Sequence, residues 1–201
     1  SAVWDDGTTG GEGAPGGDGA GGAIEAEERV RAFMAAASPT AQRLAASIAA
    51  VPVSVRLMHI VQREIVPESD LSHLAEVLCG GLIRRVGIDE TGGGTGDAGV
   101  RYDFHPGVRD LLLGQTRISR TVDVIQRVSD FIARETGSAP FDFQALIVDP
   151  DAADGMTIAA EDEPFAMVTT QVLRRLGGRY AEAAGRLAPL PTLRSPEVWR
   201  R

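Results

Sequence analysis

The feature that most limits the fold is a series of short apolar segments with helical spacing between residues 24 and 82. Apolar residues recur three and four positions apart, the pattern of amphipathic helices that bury one face. Proline and paired glycine end helices. They separate these segments at Ser38-Pro39, Pro52, Pro67 and Gly80-Gly81. We therefore expect four consecutive helices.

The fourth segment, 70–79, carries the densest apolar pattern. Its spacing predicts that one face points to the core, formed by Leu71, Leu74, Ala75, Leu78 and then Leu82. The single cysteine, Cys79, lies on or beside this face, so we predict a buried structural thiol rather than a nucleophile.

Two strand-like segments, 82–88 and 100–104, flank a glycine-rich stretch and predict a hairpin. Helices followed by a hairpin are the order of a winged helix-turn-helix, with 70–79 as recognition helix and 89–99 as wing tip. An irregular helical bundle with an incidental hairpin is the alternative. We predict a mainly α fold: a helical domain containing a winged helix-turn-helix with a two-stranded hairpin, followed by a further small helical segment.

Composition divides the chain into four regions. Glycine dominates residues 1–23, which we expect to be a flexible linker to an upstream part of a larger protein. Residues 24–137 form the predicted helical and winged-helix domain. Residues 138–188 are predicted to form an acidic loop and a helix that pack on that domain. The proline- and arginine-rich tail, 189–201, is expected to be loosely ordered.

The net charge of −8 is distributed unevenly. Residues 138–163 contain seven acidic and no basic residues, whereas 164–201 contain seven arginines and two acidic residues. These two stretches could pair within the chain or across an interface. The chain shows no signal-peptide pattern and no apolar run near the roughly 20 residues that cross a bilayer. We therefore expect a cytoplasmic protein without membrane contact.

No motif for catalysis or metal binding is found in the sequence. The acidic stretch 149–155 lacks the glycine and glutamate positions of a calcium loop, and we interpret it as a turn with solvated acids. The three histidines have no metal-ligand spacing, and there is no nucleophile elbow. His105 precedes a proline between strand and helix and is predicted to be a structural junction. We predict no enzyme activity, catalytic residue, cofactor or metal.

Four arginines are the predicted contacts for nucleic acid or a partner protein, namely Arg84, Arg85, Arg101 and Arg109. A winged helix could direct them at phosphates. However, the segment 70–79 has no arginine, and the loop 89–99 carries three acidic residues that a phosphate backbone would repel. Nucleic-acid binding is therefore the less favoured prediction.

Several segments resemble the C-terminal region of a group of large actinobacterial proteins, the "SAV-type N-terminal-domain-related" proteins. The similarity covers about Ile24 to Leu187, and its most specific piece is YDFHPGVRDLLL at 102–113. In that group an upstream region resembles a von Willebrand factor A domain, and MoxR-type AAA ATPases are associated. The complete absence of lysine and asparagine fits a GC-rich genome of this kind.

The resemblance implies a non-catalytic, regulatory protein-interaction module of a larger multidomain bacterial protein. It could serve as an adaptor in an ATPase-linked conflict or signalling system, with an upstream domain or an AAA ATPase as partner. The alternative is a winged-helix transcription regulator that binds DNA. The resemblance carries over no site residues.

Overall fold

The computed structural model describes residues 18–88, 100–136, 145–146, 149–155, 158 and 163–187. This part of the chain is mainly helical, with a small antiparallel hairpin. In chain order the elements are α1 (Asp18–Ala36), α2 (Pro39–Ile48), α3 (Val55–Glu64), α4 (Leu71–Cys79), β1 (Ile83–Ile88), β2 (Val100–Phe104), α5 (Val108–Gln115), α6 (Ile118–Thr136), a 3-10 turn (Pro150–Gly155), α7 (Glu163–Leu176) and α8 (Gly178–Leu187). No helix among these is long and apolar enough to cross a membrane.

The turn between α1 and α2 forms where the sequence predicts it. The Ser38 hydroxyl caps α2 by accepting the N–H of Ala41 at 3.2 Å, and Pro39 occupies the first helical turn. The side-chain amide of Gln42 donates to two carbonyl oxygens at the end of α1, each at 2.9 Å. These bonds satisfy backbone groups that a helix end leaves without partners.

One continuous apolar core joins the N-terminal helices, the hairpin base and the C-terminal helices. α2 packs against α3, α4 and α5, α1 packs against α5, and α6 packs against α3 and α7. Burial of each large aliphatic side chain contributes about 1.5–3 kcal/mol. The largest fully buried ones include Leu44, Ile48, Met58, Leu82, Leu112, Leu113, Leu146 and Leu173.

The hairpin pairs β1 with β2 in antiparallel register. Ile83 lies opposite Phe104, and Arg85 lies opposite Tyr102. The register shifts between Arg85 and Gly87, so Val86 is an extra residue on β1. The prediction of a mainly α fold with a two-stranded hairpin is thus confirmed.

The C-terminal helices are separated by a glycine pair. Gly177 and Gly178 have φ values of +72° and +52°, a backbone conformation that residues other than glycine rarely adopt. The single helix predicted for this region is therefore two helices, α7 and α8. Arg186 of α8 pairs with Asp154 at 2.9 Å and with Asp151 at 3.3 Å. One basic residue of the last helix therefore pairs with the acidic section within the chain.

Some of the regions predicted from the sequence can be compared with the described residues. α1 begins at Asp18, so residues 18–23 of the predicted linker are helical. The remainder of that linker, the wing tip 89–99 and the tail 189–201 lie outside the described residues. The acidic stretch 149–155 forms a 3-10 turn over Pro150–Gly155.

Candidate interaction surface on helix α4

Helix α4 begins at a capping box. The Asp70 carboxylate accepts the backbone N–H groups of Ser72 at 2.9 Å and His73 at 3.2 Å. The Asp70 N–H in turn donates to Nδ1 of His73 at 3.0 Å. The hydrogen bond from the Ser72 hydroxyl, with the backbone N–H of His73, lowers the pKa of Asp70 to about 2. The ionised cap fixes where α4 starts.

The rotation of α4 about its own axis is set from two sides. Leu74 and Val77 are its buried residues and face the core. On one flank of that face, the Glu76 carboxylate accepts the N–H of Ser38 at 2.6 Å and its hydroxyl at 3.0 Å. These contacts tie α4 to the start of α2. The residues on the opposite flank of α4 are therefore turned to solvent.

That outer flank is apolar. Leu71 is 71% exposed, Leu78 is 38% exposed, and Ala75 between them is also exposed. They are spaced i, i+4 and i+7, so they form one stripe along the helix. We refer to Leu71, Ala75 and Leu78 as the α4 stripe.

Two predictions for α4 are wrong. The α4 stripe was expected to face the core together with Leu74, yet Val77 takes its place beside Leu74. Cys79 was expected to be buried, and it is exposed. Six of the nine residues of α4 are apolar. Periodicity alone could not choose between two apolar faces, and the contact of Glu76 with Ser38 decides the choice.

The predicted contact arginines of the hairpin lie on both strands. Arg84 and Arg85 are exposed on β1, opposite Asp103 and Tyr102 respectively. Arg101 pairs with Gly87 in the strand register, and its side chain lies outside the described part of the structure. Contact of these arginines with nucleic acid or a partner remains a prediction.

Arg109 occupies a different environment. It is only 8% exposed, and its guanidinium donates to the carbonyl oxygens of Ala49 and Val51, both at 2.8 Å. It also pairs with Asp103 at 2.9 Å and lies 5.0 Å from the ring centroid of Phe104. Burial lowers the pKa of this guanidinium, and the Asp103 hydrogen bond opposes that shift. The placement suits a structural link between α2, β2 and α5 better than contact with a partner.

His105 lies between β2 and α5. Its N–H donates to the Leu82 carbonyl at 2.9 Å, and its own carbonyl accepts the N–H of Val108 at 3.1 Å. Burial lowers the pKa of the imidazole, and the charges of Arg29 and Arg84 lower it further. This position fits the structural junction predicted from the sequence.

No protein-family model matches the chain, and no curated protein or solved structure is significantly similar to it.

Proposed function

We propose that this chain is a non-catalytic protein-interaction module of a larger bacterial protein, and that the α4 stripe is its docking face. We further propose that α2, α3, α4 and the hairpin form a winged helix. In that arrangement α4 occupies the place of the recognition helix. The partner would be an upstream domain of the same protein or an AAA ATPase, as the resemblance found in the sequence implies.

The observation that carries the proposal is the chemistry of the exposed face of α4. A helix that reads DNA presents basic and amide side chains to phosphates and base edges. The exposed flank of α4 instead presents two leucines and an alanine, with Leu71 at 71% exposure. Exposed apolar stripes of this kind mark surfaces that bind other proteins. Apolar burial would supply the binding free energy.

The DNA-binding alternative rests on Arg84 and Arg85, which are exposed near the start of β1. Two phosphate contacts would give weak, salt-sensitive binding. The net charge of −8 and the acidic residues of the loop 89–99 oppose it. We therefore place protein contact first and DNA contact second.

The test is a nuclease-treated pull-down from a lysate of a GC-rich actinobacterium, read by mass spectrometry. Three versions of the full chain serve as bait: the natural sequence, Leu71→Asp/Leu78→Asp and Ile118→Asp. Ile118 is 40% exposed on α6, so it matches Leu78 in exposure while lying on another helix. Circular dichroism would establish that all three are folded.

We expect the natural sequence and Ile118→Asp to retain the same partner, and the α4 double variant to lose it. Equal recovery with all three baits would contradict the proposed docking face. If nuclease treatment removes every partner, fluorescence anisotropy with a labelled DNA duplex tests the DNA-binding alternative. Affinity should then fall steeply between about 50 and 200 mM salt. It should fall further in Arg84→Gln/Arg85→Gln.

A further inference from the structure

A second surface, separate from α4, is an open groove between α3 and α6. It encloses about 580 Å³. This size is within the roughly 300–1,000 Å³ that holds a ligand-sized group. Arg56, His59 and Arg63 of α3 line it, and Ile60 and Phe131 form its apolar part, with Pro67 of the following loop beside them.

The charged groups that line the groove have one sign. Arg56 and Arg63 are exposed cations, His59 is the third ionisable group, and no carboxylate is among the described residues that line the groove. Glu68 lies in the chain between the lining residues Pro67 and Ser69 and pairs with Arg43 at 2.8 Å. Glu64 pairs with Arg63 at 2.9 Å. That pair is exposed, and exposed pairs contribute only about 0–1 kcal/mol. A ligand carboxylate could therefore replace Glu64 at little cost.

Arg63 makes a cation–π contact with Phe131, which also lines the groove. The Arg63 guanidinium lies 4.9 Å from the ring centroid of Phe131, and that of Arg134 lies 6.0 Å away. This contact adds to the pair with Glu64 in restricting a long side chain that is largely exposed. An ordered guanidinium loses less conformational entropy when it binds a carboxylate in a bidentate manner.

We propose that this groove binds an acidic peptide segment of a partner protein. One apolar side chain of the segment enters between Ile60 and Phe131, and carboxylates on either side of it pair with Arg56 and Arg63. Charge complementarity supports this occupant, since the lining cations are on α3 and the apolar wall lies beside them. The inference does not depend on the α4 stripe, with which it shares no residue.

A nucleic acid fits the groove less well. Aromatic rings bind single strands by stacking against successive bases, and Phe131 is the only phenyl ring among the described residues that line the groove. A nucleic-acid strand carries a phosphate on every nucleotide, and only two of the described lining residues are arginines that could neutralise them. A peptide with a few carboxylates matches the number of cations better.

The experiment measures fluorescence anisotropy of a labelled twelve-residue peptide in which one central tryptophan has two glutamates on either side and the remaining residues are glycine and alanine. The full chain is compared with Arg56→Gln/Arg63→Gln and with Arg117→Gln/Arg120→Gln. The second pair removes the same charge from exposed positions at the start of α6, outside the groove. A second peptide has serine in place of tryptophan.

We expect saturable binding to the natural chain and to Arg117→Gln/Arg120→Gln. Affinity should fall at least about tenfold in Arg56→Gln/Arg63→Gln, and also for the serine peptide. Leu71→Asp/Leu78→Asp should bind the peptide unchanged, which separates this site from the α4 stripe. The proposal is overturned by absence of peptide binding, by equal loss in both arginine pairs, or by tighter binding of a twelve-nucleotide single strand. If Arg56→Gln/Arg63→Gln fails to fold, the two peptides compared on the natural chain decide the question.

Discussion

The Glu76 carboxylate accepts hydrogen bonds from both donors of Ser38: Oε2 accepts the backbone N–H at 2.6 Å, and Oε1 accepts the hydroxyl at 3.0 Å. Ser38 is also the N-cap of α2. One residue of α4 therefore completes the cap of another helix 38 positions earlier in the chain. This relationship orients α4 and leaves Leu71, Ala75 and Leu78 facing solvent.

Replacing Glu76 should destabilise the fold through this cap. In Glu76→Ala the part-buried N–H of Ser38 loses its acceptor, so we expect the free energy of unfolding to fall by about 1–2 kcal/mol. Urea denaturation followed by circular dichroism measures the change. Glu182→Ala, at an exposed position of α8, is the control and should stay within about 0.5 kcal/mol. An equal effect of the two changes would argue against the orienting role.

Arg109 should be among the most sensitive polar positions. Arg109→Ala leaves the carbonyl oxygens of Ala49 and Val51 without this donor and removes the partner of Asp103. We expect a loss of about 1–3 kcal/mol from these carbonyl oxygens, whereas the Asp103 side chain is 44% exposed and is hydrated when its partner is removed. Arg109→Lys should recover only part of this, because an ammonium cannot reproduce the planar fork of a guanidinium. A loss below about 1 kcal/mol in Arg109→Ala would show that these bonds are dispensable.

Replacing a glycine with alanine should lower the stability at one position and raise it at another. A Cβ atom on Gly80 would lie 2.5 Å from Cδ2 of Phe33, so Gly80→Ala must displace a buried ring. We expect a loss of about 1–3 kcal/mol. Gly185 lies within α8 with no neighbouring atom within 4 Å of an added Cβ, so Gly185→Ala should gain about 0.5–1 kcal/mol. Thermal unfolding of both variants measures the difference, and the same sign for both would contradict the expectation.

The loss of stability on replacing a leucine of α4 should depend on the face of the helix on which that leucine lies. Leu74 is 5% exposed, so Leu74→Ala should cost about 2–5 kcal/mol through lost burial and a residual cavity. Leu71 is 71% exposed, and Leu71→Ala should change stability by no more than about 0.5 kcal/mol. Denaturant midpoints of the two variants provide the measurement. Comparable losses would mean that the α4 stripe is covered within the chain.

The cap of α4 should make stability depend on pH in the acidic range. The folded pKa of Asp70 is about 2, below the value of about 3.9 for an unperturbed aspartate. The stabilisation from the ionised form is therefore fully present above about pH 4 and is lost as the pH falls toward 2. Asparagine caps helices about as well as aspartate and does not titrate.

The free energy of unfolding should therefore fall more between pH 5 and about pH 2.5 in the natural chain than in Asp70→Asn. Asp130→Asn, at an exposed position of α6, is the matched control and should keep the pH dependence of the natural chain. If Asp70→Asn keeps it as well, the capping carboxylate does not govern the acid sensitivity.

Local signals in the sequence were sufficient for α2, α3, α4 and the hairpin. Ser38-Pro39 marks the start of α2, and the caps and breakers that follow define α3 and α4. The core residues Leu44 and Ile48 follow directly from helical spacing. These features depend on neighbours within one or two turns, so the sequence contains what is needed to predict them.

The functional surfaces depend on contacts between residues far apart in the chain. The groove brings Phe131 beside Arg63, and no pattern in either helix alone indicates that pairing. The same holds for Arg109, which a sequence pattern groups with the exposed arginines Arg84 and Arg85. Its burial follows from the packing of α5 against the end of α2.

The sequence by itself determined the helical class, the hairpin and the breaks that separate α1, α2, α3 and α4, because propensity, capping and periodicity act locally. Only the tertiary structure decided which face of α4 is buried and which arginines remain available at the surface. A helix with six apolar residues out of nine offers two apolar faces of similar hydrophobicity. The choice between them is made by distant partners, here Ser38 binding Glu76.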